Sequence, residues 1–148
     1  MRTIPTPARL ASAIITLALA ASLPPAARAC KGGAKQQAFQ KIDVEELTRL
    51  QATGPVHLYD ANSEKTRKKL GVIPGATLLT SPSEYDVAKV LPKEKDAVLV
   101  FYCANVHCTA SHVAAKRAIE AGYTQVYVLA PGVKGWAEAG RPVERPNS

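Results

Sequence analysis

Residues 97–102 form an uninterrupted apolar run, and a short loop separates it from a segment with helical periodicity. A continuous apolar run of this kind is typical of a strand that is covered on both faces in a parallel sheet. The segment 110–121 has apolar or small residues at positions 110, 113, 114, 118 and 121, which is the spacing of one helix face. We therefore predict a buried strand, a turn and an amphipathic helix, in that order.

Weaker patterns on both sides repeat this alternation. Helices are predicted over residues 42–50, 64–70, 84–90 and 133–139, and strands over residues 56–59, 76–79 and 125–129. Asp43 is the expected N-cap of the first helix, and the helix at 64–70 is expected to face solvent. Strands that alternate with helices predict an α/β fold with a mainly parallel sheet and helices on both faces. Ligands bind such sheets at the carboxyl ends of the strands, where Asp60 and Cys103 are both placed.

Residues 1–29 have the pattern of a signal peptide. Arg2 and Arg9 precede an apolar run over residues 10–23 that is short for a membrane span, and residues 27–29 have the small-x-small form of a cleavage site. Export to a bacterial periplasm or to the exterior is therefore expected. Cleavage would leave Cys30 as the first residue, where lipid attachment is the lesser alternative because Ala27 and Arg28 match a lipidation site poorly.

The rest of the chain is predicted to be a linker and one domain. Residues 30–37 lack any apolar period and read as a flexible linker, so that residues 38–148 form the domain. A domain of this size can hold one hydrophobic core, and we expect a monomer without a transmembrane span in its mature form. The formal net charge is +7, but the basic residues of the domain are scattered, so nucleic acid is not an expected partner.

Cys103 and Cys108 are the candidate catalytic residues. Cys103 ends the apolar run, where the N–H groups and the positive dipole end of the next helix favour a thiolate over a thiol. Cys108 lies near the same helix end, from which it would resolve a persulfide or sulfenate on Cys103 into a disulfide. A buried structural role for Cys103 and a spectator role for Cys108 are the alternatives.

Several short motifs occur in an order that resembles the rhodanese-like domain family. They are Tyr59-Asp60, residues 71–76, the strand that ends in Cys103, residues 121–123, 126–129 and 132–136, and residues 139–142. The resemblance extends over about residues 42–143. It implies a three-layer fold with a central, mainly parallel sheet of about five strands flanked by helices. It also implies a sulfurtransferase without a cofactor, in which Cys103 accepts sulfane sulfur as a persulfide and passes it to a thiol or to cyanide.

The resemblance further implies an anion-binding loop. Backbone N–H groups of such loops curl around the sulfur and stabilise its negative charge without a metal. The residues placed in this role are Ala104, Asn105, Val106, His107 and Thr109. Asp60, at the same edge of the sheet, is expected to support the loop by accepting hydrogen bonds from its N–H groups, and a catalytic role for Asp60 is the equal alternative. The expected partner is a small sulfur-containing substrate or a protein thiol.

This chain departs from the family pattern at the loop. Active members have a glycine at the third position after the cysteine and an arginine at the fifth, where this chain has Val106 and Cys108. The arginine that often follows the second strand is replaced by Asn62. Arginine offers a fixed charge and a fork of donors to oxyanions, so turnover of thiosulfate, phosphoryl groups or arsenate is disfavoured. A neutral, thiol or persulfide partner is favoured instead.

Two other functions remain open at this stage. One is a periplasmic redox protein that cycles a disulfide between Cys103 and Cys108 without net sulfur transfer. The other is a non-catalytic module that binds a partner or a metal through the altered loop, since His107 and His112 flank Cys108. Their spacing matches no established four-ligand pattern, and both histidines are expected to face solvent, so no metal site is assigned.

Overall fold

The computed structural model describes residues 38–145 of the chain. The predicted signal peptide, the linker at 30–37 and the alternative lipid site at Cys30 lie outside these residues. The strands are β1 (Gln40–Ile42), β2 (Val56–Asp60), β3 (Thr77–Leu78), β4 (Val98–Tyr102) and β5 (Gln125–Leu129). The helices are α1 (Val44–Thr53), α2 (Glu64–Leu70), α3 (Val87–Val90), α4 (Ala110–Glu120) and α5 (Gly132–Glu138). Between residues 38 and 145, no helix is both long enough and apolar enough to cross a membrane.

The five strands form one sheet in the order β1-β5-β4-β2-β3, and every pair in it is parallel. The predicted α/β class with a parallel, helix-flanked sheet is therefore confirmed. Tyr102, the last residue of β4, pairs with Asp60 of β2 and with Leu129 of β5. Because these three strands end at the same level, the residues that follow them meet at one edge of the sheet.

The side chains of β4 explain why its sequence is apolar throughout. Leu99 and Phe101 enter a core on the α4 side, which also contains Cys103. Val100 and Tyr102 enter a second core on the other face, which contains Trp136 of α5. Successive side chains of a strand point to opposite faces, so a strand covered on both sides has no position for a polar residue. Trp136 anchors α5 in this second core.

Several element boundaries differ from the sequence predictions, most clearly at the start of α1 and at α3. Ile42 belongs to an additional strand, β1, and α1 begins only after Asp43, whose side chain accepts a hydrogen bond from the N–H of Glu46. The N-cap prediction is thus confirmed. The helix predicted at 84–90 is shorter because Asp86 caps it, leaving Val87–Val90 as α3. In β1, Ile42 is the one buried residue, which is too little for strand alternation to show in the sequence.

Candidate active site

Cys103 directly follows β4 and lies at the carboxyl edge of the sheet, where the sequence places it. Its backbone is fixed by the start of α5, because its carbonyl oxygen accepts a hydrogen bond from the N–H of Val133 at 2.9 Å. The next carbonyl, of Ala104, accepts from the N–H of Lys134 at 3.0 Å. The side chain is 2% exposed and packs in the core on the α4 side. Cys103 is therefore rigidly held and almost inaccessible.

Gly132 makes this close contact between α5 and the loop feasible. Its φ of 61° lies in the left-handed region, and a Cβ at this position would overlap the carbonyl oxygen of Cys103 and lie 2.8 Å from the carbonyl carbon of Ala104. Only glycine satisfies both conditions. The sequence pattern places Gly132 in a turn but does not connect it with the site, because the contact joins segments that are distant in sequence.

The loop between Cys103 and α4 binds part of its own backbone. The side-chain oxygen of Asn105 accepts a hydrogen bond from the N–H of His107 at 3.0 Å. The backbone carbonyl oxygen of Asn105 accepts one from the N–H of Cys108 at 3.1 Å. These two N–H groups are therefore not free to bind a substrate. The predicted anion hole used the N–H groups of the whole loop, and it therefore loses those of His107 and Cys108. The N–H groups of Ala104 and Ala110 lower the pKa of Cys108, and the N–H of Ser111 lowers the pKa of Cys103.

Cys103 contacts two oxygen atoms through its sulfur. Its Sγ donates to the carbonyl oxygen of Cys108 at 3.2 Å and lies 3.2 Å from the Oγ of Ser111, which is also buried. Burial raises the pKa of the Cys103 thiol, and its hydrogen bond to Cys108 raises it further, while the hydroxyl and N–H of Ser111 act in the opposite direction. The expectation of a Cys103 thiolate is therefore wrong, because desolvation outweighs the N–H groups of the helix end.

Cys108 differs from Cys103 in both exposure and ionisation. Its side chain is only partly buried. Burial acts to raise its pKa, but hydrogen bonds from the Cys103 thiol and from the N–H groups of Ala104 and Ala110 outweigh this effect and lower the pKa. These bonds stabilise the thiolate form. Cys108 is thus the more acidic thiol of the pair.

Asp60 lies at the same edge of the sheet but does not support the loop as predicted. Its Oδ1 accepts from the N–H of Asn62 at 2.7 Å and from the Nε of Arg67 at 3.3 Å. Arg67 also donates through Nη2 to the carbonyl oxygens of Asp60, at 3.0 Å, and of Leu79, at 2.8 Å. Asp60 therefore joins β2 to α2 and to the segment after β3. The predicted hydrogen bonds to the loop are not formed.

Arg67 is a buried residue of a helix that the sequence predicts to face solvent. It is 9% exposed, and its charge is neutralised by the fully buried Asp60. Its position three residues before Leu70 places both on one face of α2, a spacing that could have indicated burial. Two buried polar atoms beside it, Asp60 Oδ2 and Asn62 Nδ2, have no hydrogen-bond partner among the described residues.

The remaining loop residues face outward or pack locally. Val106 is 63% exposed, His107 is exposed, and the Thr109 side chain does not cap α4 although it occupies the N-cap position. His112 is partly buried and stacks on Phe39 with ring centroids 5.0 Å apart, so the prediction that it faces solvent is wrong. Among residues 38–145, no three His, Cys, Asp or Glu side chains are grouped in a way that could hold a metal ion.

The family model of the rhodanese-like domain matches residues 43–139. The chain belongs to the rhodanese-like domain family. The recognition made from short motifs is thereby confirmed. Among curated proteins, none matches this chain.

Solved structures have the same rhodanese-like fold. A protein of unknown function from Rhodopseudomonas palustris, a possible tyrosine phosphatase, is 26% identical with a TM-score of 0.58, over 72% of this chain and 85% of that chain. The rhodanese-like domain of an Anabaena protein is 24% identical with a TM-score of 0.57, over 72% of this chain and 79% of that chain. Thiosulfate sulfurtransferase from Pseudomonas aeruginosa is 24% identical with a TM-score of 0.61, over 74% of this chain but 21% of that chain. The rhodanese-like domain therefore has a sulfurtransferase-type fold.

Proposed function

We propose that this domain transfers sulfane sulfur from a persulfide or polysulfide donor to a thiol acceptor. The observation that carries the proposal is the pair of free cysteines in the loop after β4 of a rhodanese-like domain, in which Cys103 Sγ donates to the carbonyl oxygen of Cys108 at 3.2 Å. One sulfur of the pair takes up the sulfane sulfur as a persulfide, and the acceptor thiol removes it. The N–H groups directed at Cys108 stabilise the anionic sulfur that such transfers require.

The charges around the loop favour this donor class over thiosulfate. Loop residues 104–109 contain no arginine or lysine. Arg67 is committed to Asp60 and two carbonyl groups, and Arg117 of α4 donates to the carbonyl oxygen of Tyr85 at 3.1 Å. A sulfonate group therefore lacks the bidentate cation that arginine supplies elsewhere. A persulfide needs no such cation, because its leaving group is a thiolate.

A dithiol–disulfide exchange protein is the second candidate. The position of both cysteines in one short loop favours it, because Cys103 Sγ lies 3.2 Å from the backbone carbonyl oxygen of Cys108. In that case two electrons pass between this pair and a partner dithiol, and no sulfur atom moves. The predicted signal peptide at 1–29 supports an exported protein in either case. A small sulfur compound or a protein thiol is the proposed partner.

The experiment is sulfur loading followed by intact-mass measurement. The reduced protein is incubated separately with a persulfide, a polysulfide and thiosulfate, and then mixed with a thiol acceptor. We expect the persulfide and the polysulfide, but not thiosulfate, to pass sulfur to the acceptor faster than in the absence of protein. The variant Cys103→Ser/Cys108→Ser should give no acceleration. Acceleration by that double variant, or none by the wild type with any donor, would overturn the proposed function.

A further inference from the structure

The two thiols of the loop differ in access to solvent. Cys103 is 2% exposed and belongs to the core on the α4 side, whereas Cys108 packs only at the margin of that core and is partly exposed. A donor persulfide must bring its outer sulfur into contact with the attacking sulfur along the axis of the bond that breaks. Cys108 allows this approach without movement of the loop, whereas Cys103 does not.

The direction of the hydrogen bonds separates the thiols in the same way. Cys103 Sγ donates its proton to the Cys108 carbonyl oxygen at 3.2 Å, which stabilises the protonated form of Cys103. Ser111, whose Oγ lies 3.2 Å from the same sulfur, acts in the opposite direction, but burial raises the pKa of Cys103 on balance. The Cys108 sulfur, by contrast, accepts from the N–H groups of Ala104 and Ala110 as well as from Cys103. The thiolate, which is the attacking form, therefore forms more readily on Cys108 than on the buried Cys103.

From this arrangement we propose that Cys108, rather than Cys103, takes sulfur from the donor, and that Cys103 then resolves the Cys108 persulfide and releases hydrogen sulfide. The inference rests on the proposed function and assigns an order to its two thiols. It reverses the roles given by the resemblance to the family, in which the cysteine that ends the strand carries the persulfide. It also makes sulfide a product of the domain when no acceptor thiol competes.

The first step is an exchange at sulfur without net oxidation. The Cys108 thiolate attacks the outer sulfur of a donor R–S–SH, the donor S–S bond breaks, and a new S–S bond forms on Cys108. The donor leaves as the thiolate R–S⁻, which takes up a proton from solvent. The products are R–SH and the Cys108 persulfide. Hydrogen bonds from the loop N–H groups would then stabilise this persulfide.

The second step closes a disulfide. Cys103 gives up its proton, and its sulfur attacks the inner sulfur of the Cys108 persulfide while the bond to the outer sulfur breaks. The outer sulfur leaves as HS⁻ and takes the proton to form hydrogen sulfide. It is reduced by two electrons, and the two cysteines are oxidised to the Cys103–Cys108 disulfide. A dithiol reductant then restores both thiols, becoming a disulfide itself. Ser111, at 3.2 Å from Cys103, stabilises the thiolate through which this step passes.

The test compares single-cysteine variants after treatment with one persulfide donor. Cys103→Ser should gain one sulfur atom by intact mass, should retain it, and should release no sulfide. Cys108→Ser should gain sulfur at least about tenfold more slowly, because its remaining thiol is buried and protonated. The wild type should lose two hydrogen atoms and release one sulfide for each molecule of protein. Because Cys103 lies in the core, Cys103→Ala serves as a second variant with the same expectation as Cys103→Ser.

The outcomes separate the order of the thiols from the proposed function. If Cys108→Ser takes up sulfur as fast as the wild type and both Cys103 variants do not, the order is reversed and only the present inference fails. If neither class of variant nor the wild type takes up sulfur, the proposed function itself fails. A wild type that holds a stable persulfide, without disulfide or sulfide, would overturn the resolving role of Cys103. Peptide mapping after limited alkylation of the reduced wild type checks the order without any substitution.

Discussion

The turns after β2 and β4 are neighbours at one edge of the sheet, and they treat buried polar groups in opposite ways. After β2, Asp60 is locked by Arg67, whose donors are shared among a carboxylate and two carbonyls. After β4, the buried Cys103 faces a second group that is also ionisable, Cys108. The first turn holds its carboxyl group in a buried ion pair, while the second contains two thiols that are not paired with any charged side chain in the described residues. We infer that the first turn is structural and the second is chemical.

Breaking the ion pair of the first turn should have the largest effect on stability. Arg67→Met leaves the fully buried Asp60 without its cation, which should lower the free energy of unfolding by about 3–5 kcal/mol. Urea denaturation measures the loss. Lys69→Met, on an exposed position of the same helix, should cost at most about 0.5 kcal/mol.

A double variant tests the reason for that loss. Asp60→Asn/Arg67→Met removes both charges and should recover most of the stability, because no buried charge remains uncompensated. A double variant as unstable as Arg67→Met would contradict the charge argument and indicate that packing of the long side chain dominates.

We expect the next largest loss of stability at Gly132, which lies against the backbone of Cys103. Gly132→Ala should cost about 3 kcal/mol, because a Cβ would be strained at φ 61° and would overlap the backbone of Cys103. It should also slow sulfur uptake, since the loop must shift to relieve the overlap. Gly140 is the matched control: its φ is 74°, but a Cβ added there would have nothing within 4 Å, so Gly140→Ala should show only the backbone strain, about 1 kcal/mol. Equal losses for the two variants would refute a specific role for Gly132.

A smaller effect, on the rate of sulfide release, is expected from Ser111, which contacts the Cys103 thiol. Ser111→Ala removes the hydroxyl that helps to stabilise a Cys103 thiolate, worth about 1 kcal/mol, so release of sulfide should slow by about fivefold. Uptake of sulfur by Cys108 should be unchanged. Stopped-flow sulfide detection and intact mass measure the two steps separately. Slowing of uptake by the same factor would place Ser111 in the first step instead.

The sequence predicts the strands and helices around Cys103 well. A continuous apolar run that is followed by an amphipathic helix is typical of a buried strand in a parallel sheet. The parallel sheet, the position of Cys103 and the N-cap at Asp43 all follow from local patterns of this kind. Strand β1 escapes prediction because Ile42 is its only buried residue. The spacing of apolar residues within β1 cannot show that this edge strand pairs with β5, which lies far away in the chain.

The interior of the site is harder to predict because its determinants are not local. Arg67 occurs among charged residues, and its burial depends on Asp60 and on a carbonyl of another segment. The ionisation of Cys103 is a balance: the helix end favours its thiolate, but burial and the donation of its proton to Cys108 oppose it more strongly. The effect of the helix end can be predicted from the sequence, but burial and the hydrogen bond to Cys108 cannot. The roles of the two thiols therefore follow only from their three-dimensional surroundings.

The most direct test of the account is the pH dependence of alkylation at each cysteine in the reduced protein. The thiolate is the reactive form, so the rate at a site rises with pH and levels off above its pKa. We predict that Cys108 reacts first and levels off below the ordinary thiol value of 9.0, while Cys103 stays slow until the pH exceeds that value. Mapping the labelled peptides gives both profiles in one experiment. Faster labelling of Cys103, or identical profiles for the two cysteines, would contradict the account.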